Sequence, residues 1–297
     1  MHQLPSGAKF AVIGDPIAQS LSPAIHLPVL RHYADNPSYE RATVSREELP
    51  QWIAQVRAEG YAGFNVTMPH KMDISQYLDE VVMEADMLDS VNTVINRDGK
   101  LIGYSTDALG FFTALREAGI AYDDRRIVIL GAGGAARVLA HRAILDRAAR
   151  VDVFARRDKQ AHEVVSSIRS HVRNAGLSWG KLDSPAMHRS LARADILINA
   201  TPLGMTGVEA QWEDLSFLGH LSPHAVVCDI IHTPRKTALL ERAEQLGHRI
   251  QNGVDMLIYQ ALVADTLFLG QDIDYPAMAR LVKEELHAAG VLEGTEQ

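Results

Sequence analysis

Ile127-Val128-Ile129-Leu130 runs without a break into Gly131-Ala132-Gly133-Gly134-Ala135-Ala136. An uninterrupted apolar strand is the mark of a parallel sheet with both faces covered by helices. The glycine run fits the pattern G-x-G-x-x-[GA], with Ala136 in the last place. Gly131 permits a tight turn, and Gly133 lets the backbone approach a pyrophosphate. Small residues at Ala135 and Ala136 let the next helix pack closely on the strand, its N-terminal amides facing the anion. Such a pattern is weak alone. Here good helix formers follow over 138–145, and a second strand follows at Val151-Asp152-Val153-Phe154, so the segment reads as a βαβ nucleotide-binding unit.

The end of that second strand bears on which cofactor is held. An acidic residue there suits the ribose 2′-hydroxyl of NAD, and an arginine suits the 2′-phosphate of NADP. The chain has Ala155-Arg156-Arg157-Asp158, which offers both. Two arginines can clamp a phosphate, whereas Asp158 would repel it. NADP or NAD, with dual use, is the expectation.

At 297 residues the chain has room for two domains, each with its own core. Strand patterns at Phe10-Ala11-Val12-Ile13, Gly63-Phe64-Asn65-Val66-Thr67 and Val91-Asn92-Thr93-Val94-Ile95 precede the nucleotide unit, with Asp98-Gly99 as a turn. Helical patterns cover 23–33, opened by Ser22 as cap and Pro23 at the first position, and 47–59, closed by Gly60. A helix over 109–118, stopped by Gly119, leads into the second unit, whose later strands are Asp195-Ile196-Leu197-Ile198 and Val226-Val227-Cys228-Asp229. Helical patterns at 256–269 and 275–288 close the chain. The expected fold class is α/β in two domains: a mixed or parallel-sheet substrate domain of 1–106 plus 255–297, and a Rossmann-like nucleotide-binding domain of 107–254.

A formal charge of −8 leaves no basic face for nucleic acid or an anionic membrane. One cysteine, Cys228, excludes an internal disulfide and fits a reducing compartment. The N-terminus has no signal-peptide pattern, and no stretch reaches the roughly 18 apolar residues of a membrane span. The expectation is a cytoplasmic protein, so Asn65-Val66-Thr67 and Asn199-Ala200-Thr201 match the N-glycosylation pattern by chance. No metal is expected. The 13 histidines are scattered, and Pro223 breaks any helix that would align His220 with His224.

Lys71 is the first candidate for chemistry. It ends the run Asn65-Val66-Thr67-Met68-Pro69-His70-Lys71, where a proline closes a strand beside amide and hydroxyl side chains. If other polar residues converge there, the chain binds a small oxygen-rich molecule and moves a proton with Lys71. Ser20-Leu21-Ser22-Pro23, Asn92, Ser105-Thr106-Asp107 and Gln260 are candidates for that convergence. Taken singly, each also has an ordinary structural reading. Ser22 and Asp107 are good N-caps, Asn92 and Gln260 suit buried amides, and Lys71 suits a surface.

Six motifs in order are more specific than any one. Ser20-x-Ser22-Pro23, Asn65-Val66-Thr67-x-Pro69-x-Lys71, Val91-Asn92-Thr93, Thr106-Asp107-x-x-Gly110, Gly131-Ala132-Gly133-Gly134-Ala135 and Asn199-Ala200-Thr201-Pro202-x-Gly204-Met205 together resemble the shikimate/quinate dehydrogenase family. The likeness spans about residues 10 to 275. It implies an NAD(P)-dependent oxidoreductase interconverting shikimate and 3-dehydroshikimate, with quinate and 3-dehydroquinate as further substrates, in aromatic amino acid biosynthesis. The implied partner is a small cyclic hydroxy acid, the implied assembly a monomer or homodimer. Lys71 and Asp107 would be the catalytic pair. Ser20, Ser22, Asn65, Thr67, Asn92 and Gln260, with Asp107, would hold the carboxylate and ring hydroxyls. Thr201, Pro202, Leu203, Ile230, Gly253 and Met256 would border the nicotinamide, beside the loop of Gly131, Ala132, Gly133, Gly134 and Ala135 and the Arg156, Arg157, Asp158 turn.

The chain departs from the family at Ser105-Thr106-Asp107-Ala108, where Asn-Thr-Asp-Gly is usual, at His232, where a tyrosine is usual, and at Ala155-Arg156-Arg157, where Asn-Arg-Thr is usual, followed by Asp158. These changes bear on substrate range and cofactor choice. They leave two alternatives: a dehydrogenase of a related acid, such as an aminated one, and a sensor that binds without turnover. Retention of Lys71 and Asp107 speaks against the sensor. None of the expected substrate residues is an arginine, so the acid's carboxylate would rest on Ser20 and Ser22, helped by the helix start at Pro23.

Overall fold

The structure, a computed structural model, describes residues 4–173 and 175–291. The chain forms two compact units, Met1–Gly110 with Ile258–Gln297, and Phe111–Leu257.

In the first unit the elements follow as β1 (Lys9–Gly14), α1 (Ser22–Tyr33), β2 (Ser38–Thr43), α2 (Leu49–Glu59), β3 (Gly63–Val66), β4 (Glu80–Val81), α3 (Met83–Leu88), β5 (Thr93–Arg97) and β6 (Lys100–Tyr104). They build one sheet of order β2-β1-β3-β5-β6-β4. β1 runs parallel to β2 and β3, whereas β5 runs antiparallel to β3 and β6, so the sheet is mixed. After the exposed Lys9, β1 is apolar and buried from Phe10 to Ile13 because both its faces are covered. Phe10 and Val12 pack with Leu30, Tyr39 and Phe268 on one side, and Ala11 and Ile13 with Leu49, Trp52, Val56 and Phe64 on the other. The Asp98-Gly99 turn joins β5 to β6 with φ of 52° and 87°, the positive pair that a two-residue hairpin of matching twist requires.

Three local expectations are corrected. The first helix begins at Ser22, which is therefore a helical residue rather than the cap, and Ser20 Oγ accepts from the Ser22 amide at 3.3 Å. The second helix begins at Leu49 rather than residue 47; ahead of it Ser45 and Glu48 close a turn reciprocally, Ser45 N donating to Glu48 Oε2 at 2.9 Å and Glu48 N to Ser45 Oγ at 3.3 Å. The strand expected from Val91 begins at Thr93, since the Val91 amide donates to Lys71 O instead.

The second unit holds most of α4 (Asp107–Glu117), then β7 (Arg126–Leu130), α5 (Gly134–Leu145), β8 (Arg150–Ala155), α6 (Asp158–His171), β9 (Leu177–Lys181), α7 (Pro185–Leu191), β10 (Ile196–Asn199), β11 (Val226–Asp229), α8 (Ala238–Gln245) and β12 (Arg249–Gln251). Its six strands are all parallel in the order β12-β11-β10-β7-β8-β9. That is the doubly wound order, which reverses between β7 and β10, where such sheets take ligands at their carboxyl ends. Helix α9 (Gly253–Leu269) returns the chain to the first unit, which α10 (Tyr275–Ala288) completes. Among the described residues no helix is long and apolar enough to cross a membrane.

Candidate active site

In the first unit, Lys71 Nζ lies 2.5 Å from Asp107 Oδ2. Lys71 follows the Met68-Pro69 segment beyond β3, and Asp107 opens α4, where a carboxylate also suits the helix dipole. Their side chains are 29% and 18% exposed, so the pair is partly shielded yet reachable. Asn92 fixes the acid: its Nδ2 donates to Asp107 Oδ1 at 2.8 Å, to Thr106 Oγ1 at 2.9 Å and to Gln260 Oε1 at 3.3 Å. The Thr106 amide donates to Asn92 Oδ1 at 2.7 Å, which settles which end of the amide is nitrogen.

Asn65 continues the network across the sheet. Its Nδ2 donates to Asn92 O at 3.2 Å and to Thr93 Oγ1 at 3.1 Å, while its Oδ1 accepts from Tyr39 OH at 2.6 Å. Burial, and then the Asp265 carboxylate, hold the Tyr39 phenol well above its usual pKa, so it stays a neutral donor. Ser20 and Ser22 pair through their hydroxyls at 3.1 Å. Thr67 sits against Gly14, where a Cβ would come within 2.5 Å of the threonine methyl.

Lys71, Asp107, Asn92 and Gln260 thus form one network, joined to Asn65. The serine pair stands at the start of α1. Sequence reasoning missed Tyr39, which belongs to no motif, and Thr93 and Thr106 as hydrogen-bonding partners, although both stood inside motifs. It also missed Arg41, whose Nε donates to Ser20 O at 2.8 Å. None of the expected substrate residues is an arginine, yet Arg41 stands beside the serine pair. Arg41 comes from an edge strand that carries no apolar run to announce it.

In the second unit the glycine turn fits a pyrophosphate on its own geometry. Gly131 has φ of 111°, and a Cβ there would meet Ala200 O at 2.7 Å. Gly133 and Gly134 are exposed, with nothing within 4 Å of an added Cβ, so the start of α5 is open. Its first amides have no partner within the helix, as at every helix N-terminus. Ala132 and Ala135 flank this opening, and Ala136 is fully buried beneath it.

Asp229, at the end of β11, anchors the neighbouring loops. It accepts from Asn199 Nδ2 at 3.1 Å, Ile231 N at 3.0 Å and Thr237 Oγ1 at 2.7 Å. Burial pushes its carboxyl above the usual range in spite of these bonds. Thr201 N and Oγ1 donate to Asn199 Oδ1 at 3.0 and 2.7 Å, and Leu203 N to Thr201 Oγ1 at 3.2 Å, which shapes the turn through Pro202. Gly253 passes so close to Ile230 that a Cβ would lie 2.2 Å from its carbonyl oxygen. Met256 follows on the first turn of α9, half-buried. Beyond β8, Arg156, Arg157 and Asp158 are exposed. Arg157 Nε donates to Gln160 Oε1 at 3.2 Å, and Asp158 Oδ1 accepts from Lys159 N at 2.8 Å. His232 is exposed on the loop after β11. Among the described residues no three His, Cys, Asp or Glu could hold a metal ion.

A doubly wound parallel unit with an open glycine turn, and a mixed-sheet unit with an amide-bound Lys–Asp pair, define an α/β dinucleotide-dependent oxidoreductase scaffold. Residues 12–94 match the family described as shikimate dehydrogenase substrate binding domain. The chain is 37% identical to the shikimate dehydrogenase (NADP(+)) of Alkaliphilus oremlandii over 269 residues, 89% of this chain and 93% of that one. It is similar to the crystal structure of shikimate 5-dehydrogenase from Listeria monocytogenes in complex with shikimate and NAD, with TM-score 0.86, 30% identity and coverage of 95% and 99% of the two chains. Quinate dehydrogenase from Corynebacterium glutamicum in complex with NAD is also similar, with TM-score 0.83, 27% identity and coverage of 94% and 100%. The chain belongs to the shikimate dehydrogenase family.

Proposed function

We propose that this chain is a cytoplasmic NAD(P)-dependent dehydrogenase that interconverts shikimate and 3-dehydroshikimate, and quinate and 3-dehydroquinate, working as a monomer or homodimer. The observation that carries the reading is the 2.5 Å contact between Lys71 Nζ and Asp107 Oδ2, held by Asn92. The first unit is the substrate domain and the second the cofactor domain.

A bound nicotinamide supplies the hydride acceptor or donor. The protein's own task is the proton. During oxidation the substrate hydroxyl must lose one, and in reduction the carbonyl oxygen must gain one. Lys71 Nζ hands over that proton in reduction and takes it up in oxidation, while Asp107 keeps the ammonium aimed. Asp107 Oδ2, on the same short line, shares the substrate hydroxyl. Asn92 and Gln260 orient the carboxylate and offer amide groups to neighbouring hydroxyls, with Asn65 and Thr67 completing the ring's polar surroundings. Ser20 and Ser22 face the substrate carboxylate. On the cofactor side, Gly131, Ala132, Gly133, Gly134 and Ala135 would hold the pyrophosphate, and Arg156, Arg157 and Asp158 the adenosine ribose. Thr201, Pro202, Leu203, Ile230, Gly253 and Met256 would line the nicotinamide.

Quinate enters the reading because of the similarity to a quinate dehydrogenase. The test is absorbance at 340 nm with purified protein, NAD or NADP, and shikimate or quinate. Turnover of shikimate with either cofactor is expected. No turnover of any pair, with ligand-induced thermal stabilisation retained, would make the protein a sensor instead.

A further inference from the structure

Ser20 and Ser22 are neutral, and the charges of Lys71 and Asp107 offset each other, so this set of substrate groups carries no net positive charge. The substrate is an anion. Arg41 changes that balance. The register pairs Val12 with Arg41 on one side and with Asn65 on the other, and Asn65 with Thr93. In-register neighbours point to the same face, so Arg41 stands in one cross-strand row with Asn65, two strands or roughly 10 Å away. This is the face where Tyr39, also on β2, reaches Asn65 with its hydroxyl. The Nε–H donation to Ser20 O, at 2.8 Å, brings the guanidinium against the loop that carries the serine pair. Arg41 makes no ion pair among the described residues, which leaves its two Nη groups uncommitted. A guanidinium with one edge tied down and the other free is a preorganised carboxylate receptor.

We propose that Arg41 determines specificity for an acid: it supplies the positive charge that draws the substrate carboxylate to Ser20 and Ser22. The inference rests on the reading of the first unit as the substrate domain. It separates the carboxylate end of the site, built by Arg41 and the serines, from the reacting end, built by Lys71 and Asp107. Arg41 therefore governs binding of acids and leaves the chemical step alone.

The experiment compares shikimate with its methyl ester, which keeps the ring and loses the charge, in wild type, Arg41→Gln and Arg41→Lys. Loss of one charge-assisted contact corresponds to roughly a 10- to 100-fold change in affinity. Arg41→Gln is expected to raise KM for shikimate by that factor with kcat held, and to leave KM for the ester unchanged. Arg41→Lys, which keeps the charge without the fork, should recover part of the loss. Rising salt should raise the wild-type KM and leave that of Arg41→Gln flat. Equal losses for acid and ester would show that Arg41 merely shapes the Ser20 loop, and no loss for either would show that it is a bystander. Both results overturn the inference. Calorimetric titration of acid and ester into each variant gives the same comparison without turnover. Failure of the wild type to oxidise shikimate would thus sink the catalytic reading while Arg41 was still judged on binding, and failure to bind shikimate at all would sink both.

Discussion

Gly110 on α4 touches the backbone of Gln260 on α9 so closely that a Cβ on the glycine would lie 2.3 Å from both its Cα and its amide nitrogen. No side chain fits there. Gly110 lies three residues along α4 from Asp107, and the close crossing holds Gln260 Oε1 at 3.3 Å from Asn92 Nδ2. Gly110→Ala must push backbone aside rather than a flexible side chain tip. Overpacking of this kind costs about 1–3 kcal/mol. Urea unfolding should show that loss, and kcat/KM should fall as Gln260 withdraws. A variant with unchanged stability and rate would show that the two helices separate freely.

Lys71→Ala removes the group assigned to the proton. Turnover should fall by roughly 10²- to 10⁴-fold, the usual worth of a positioned acid or base, with a much smaller change in KM. Initial rates at saturating shikimate and cofactor measure this. Near-normal turnover would remove Lys71 from the mechanism.

His26 Nδ1 meets Asp265 Oδ1 at 2.6 Å, with both side chains buried, and His26 stacks on Tyr39 at 4.7 Å between ring centroids. Burial raises the Asp265 carboxyl above its usual range, and the His26 charge offsets this only in part. A raised carboxyl favours the folded state most below its unfolded value of about 3.9, and that contribution fades as pH climbs through the folded value. Asp265→Asn lacks the titration. The stability of wild type relative to Asp265→Asn should therefore decline from pH 4 toward neutrality in urea unfolding series. A difference that grew in favour of wild type with pH would contradict the assignment.

Cys228 is fully buried in β11, and burial pushes its thiol far above the ordinary range, with Asp229 adding to the effect. Only the thiolate attacks alkylating reagents. Iodoacetamide at pH 8 should leave the native protein unlabelled by mass and label it once in urea. Rapid native labelling would mean that this strand opens readily.

The parts legible in the sequence were those with local signatures. Ile127 to Leu130 reads as a buried strand because four successive apolar side chains need cover on both faces, and the glycines after it need open space. Lys71 and Asp107 were legible through the motifs around them. β2 was not, since only Tyr39 in Ser38–Thr43 is buried and an edge strand shows no apolar period. Tyr39 and Arg41 went unseen with it.

From its own order of residues, then, the chain determined the parallel unit, the glycine turn, the Gly60 helix stop, the Asp98-Gly99 hairpin, and the family to which it belongs. Each depends on neighbours a few positions apart, where side-chain period and backbone freedom act directly. Tertiary structure alone decided that Asn92 would reach Gln260 across 168 positions, that His26 would meet Asp265 across 239, and that an edge arginine would come to rest on the Ser20 carbonyl. Such contacts leave no periodic trace, because they form only when packed helices and sheet register bring remote polar groups out of water together, where each must find a partner or bear the cost of desolvation.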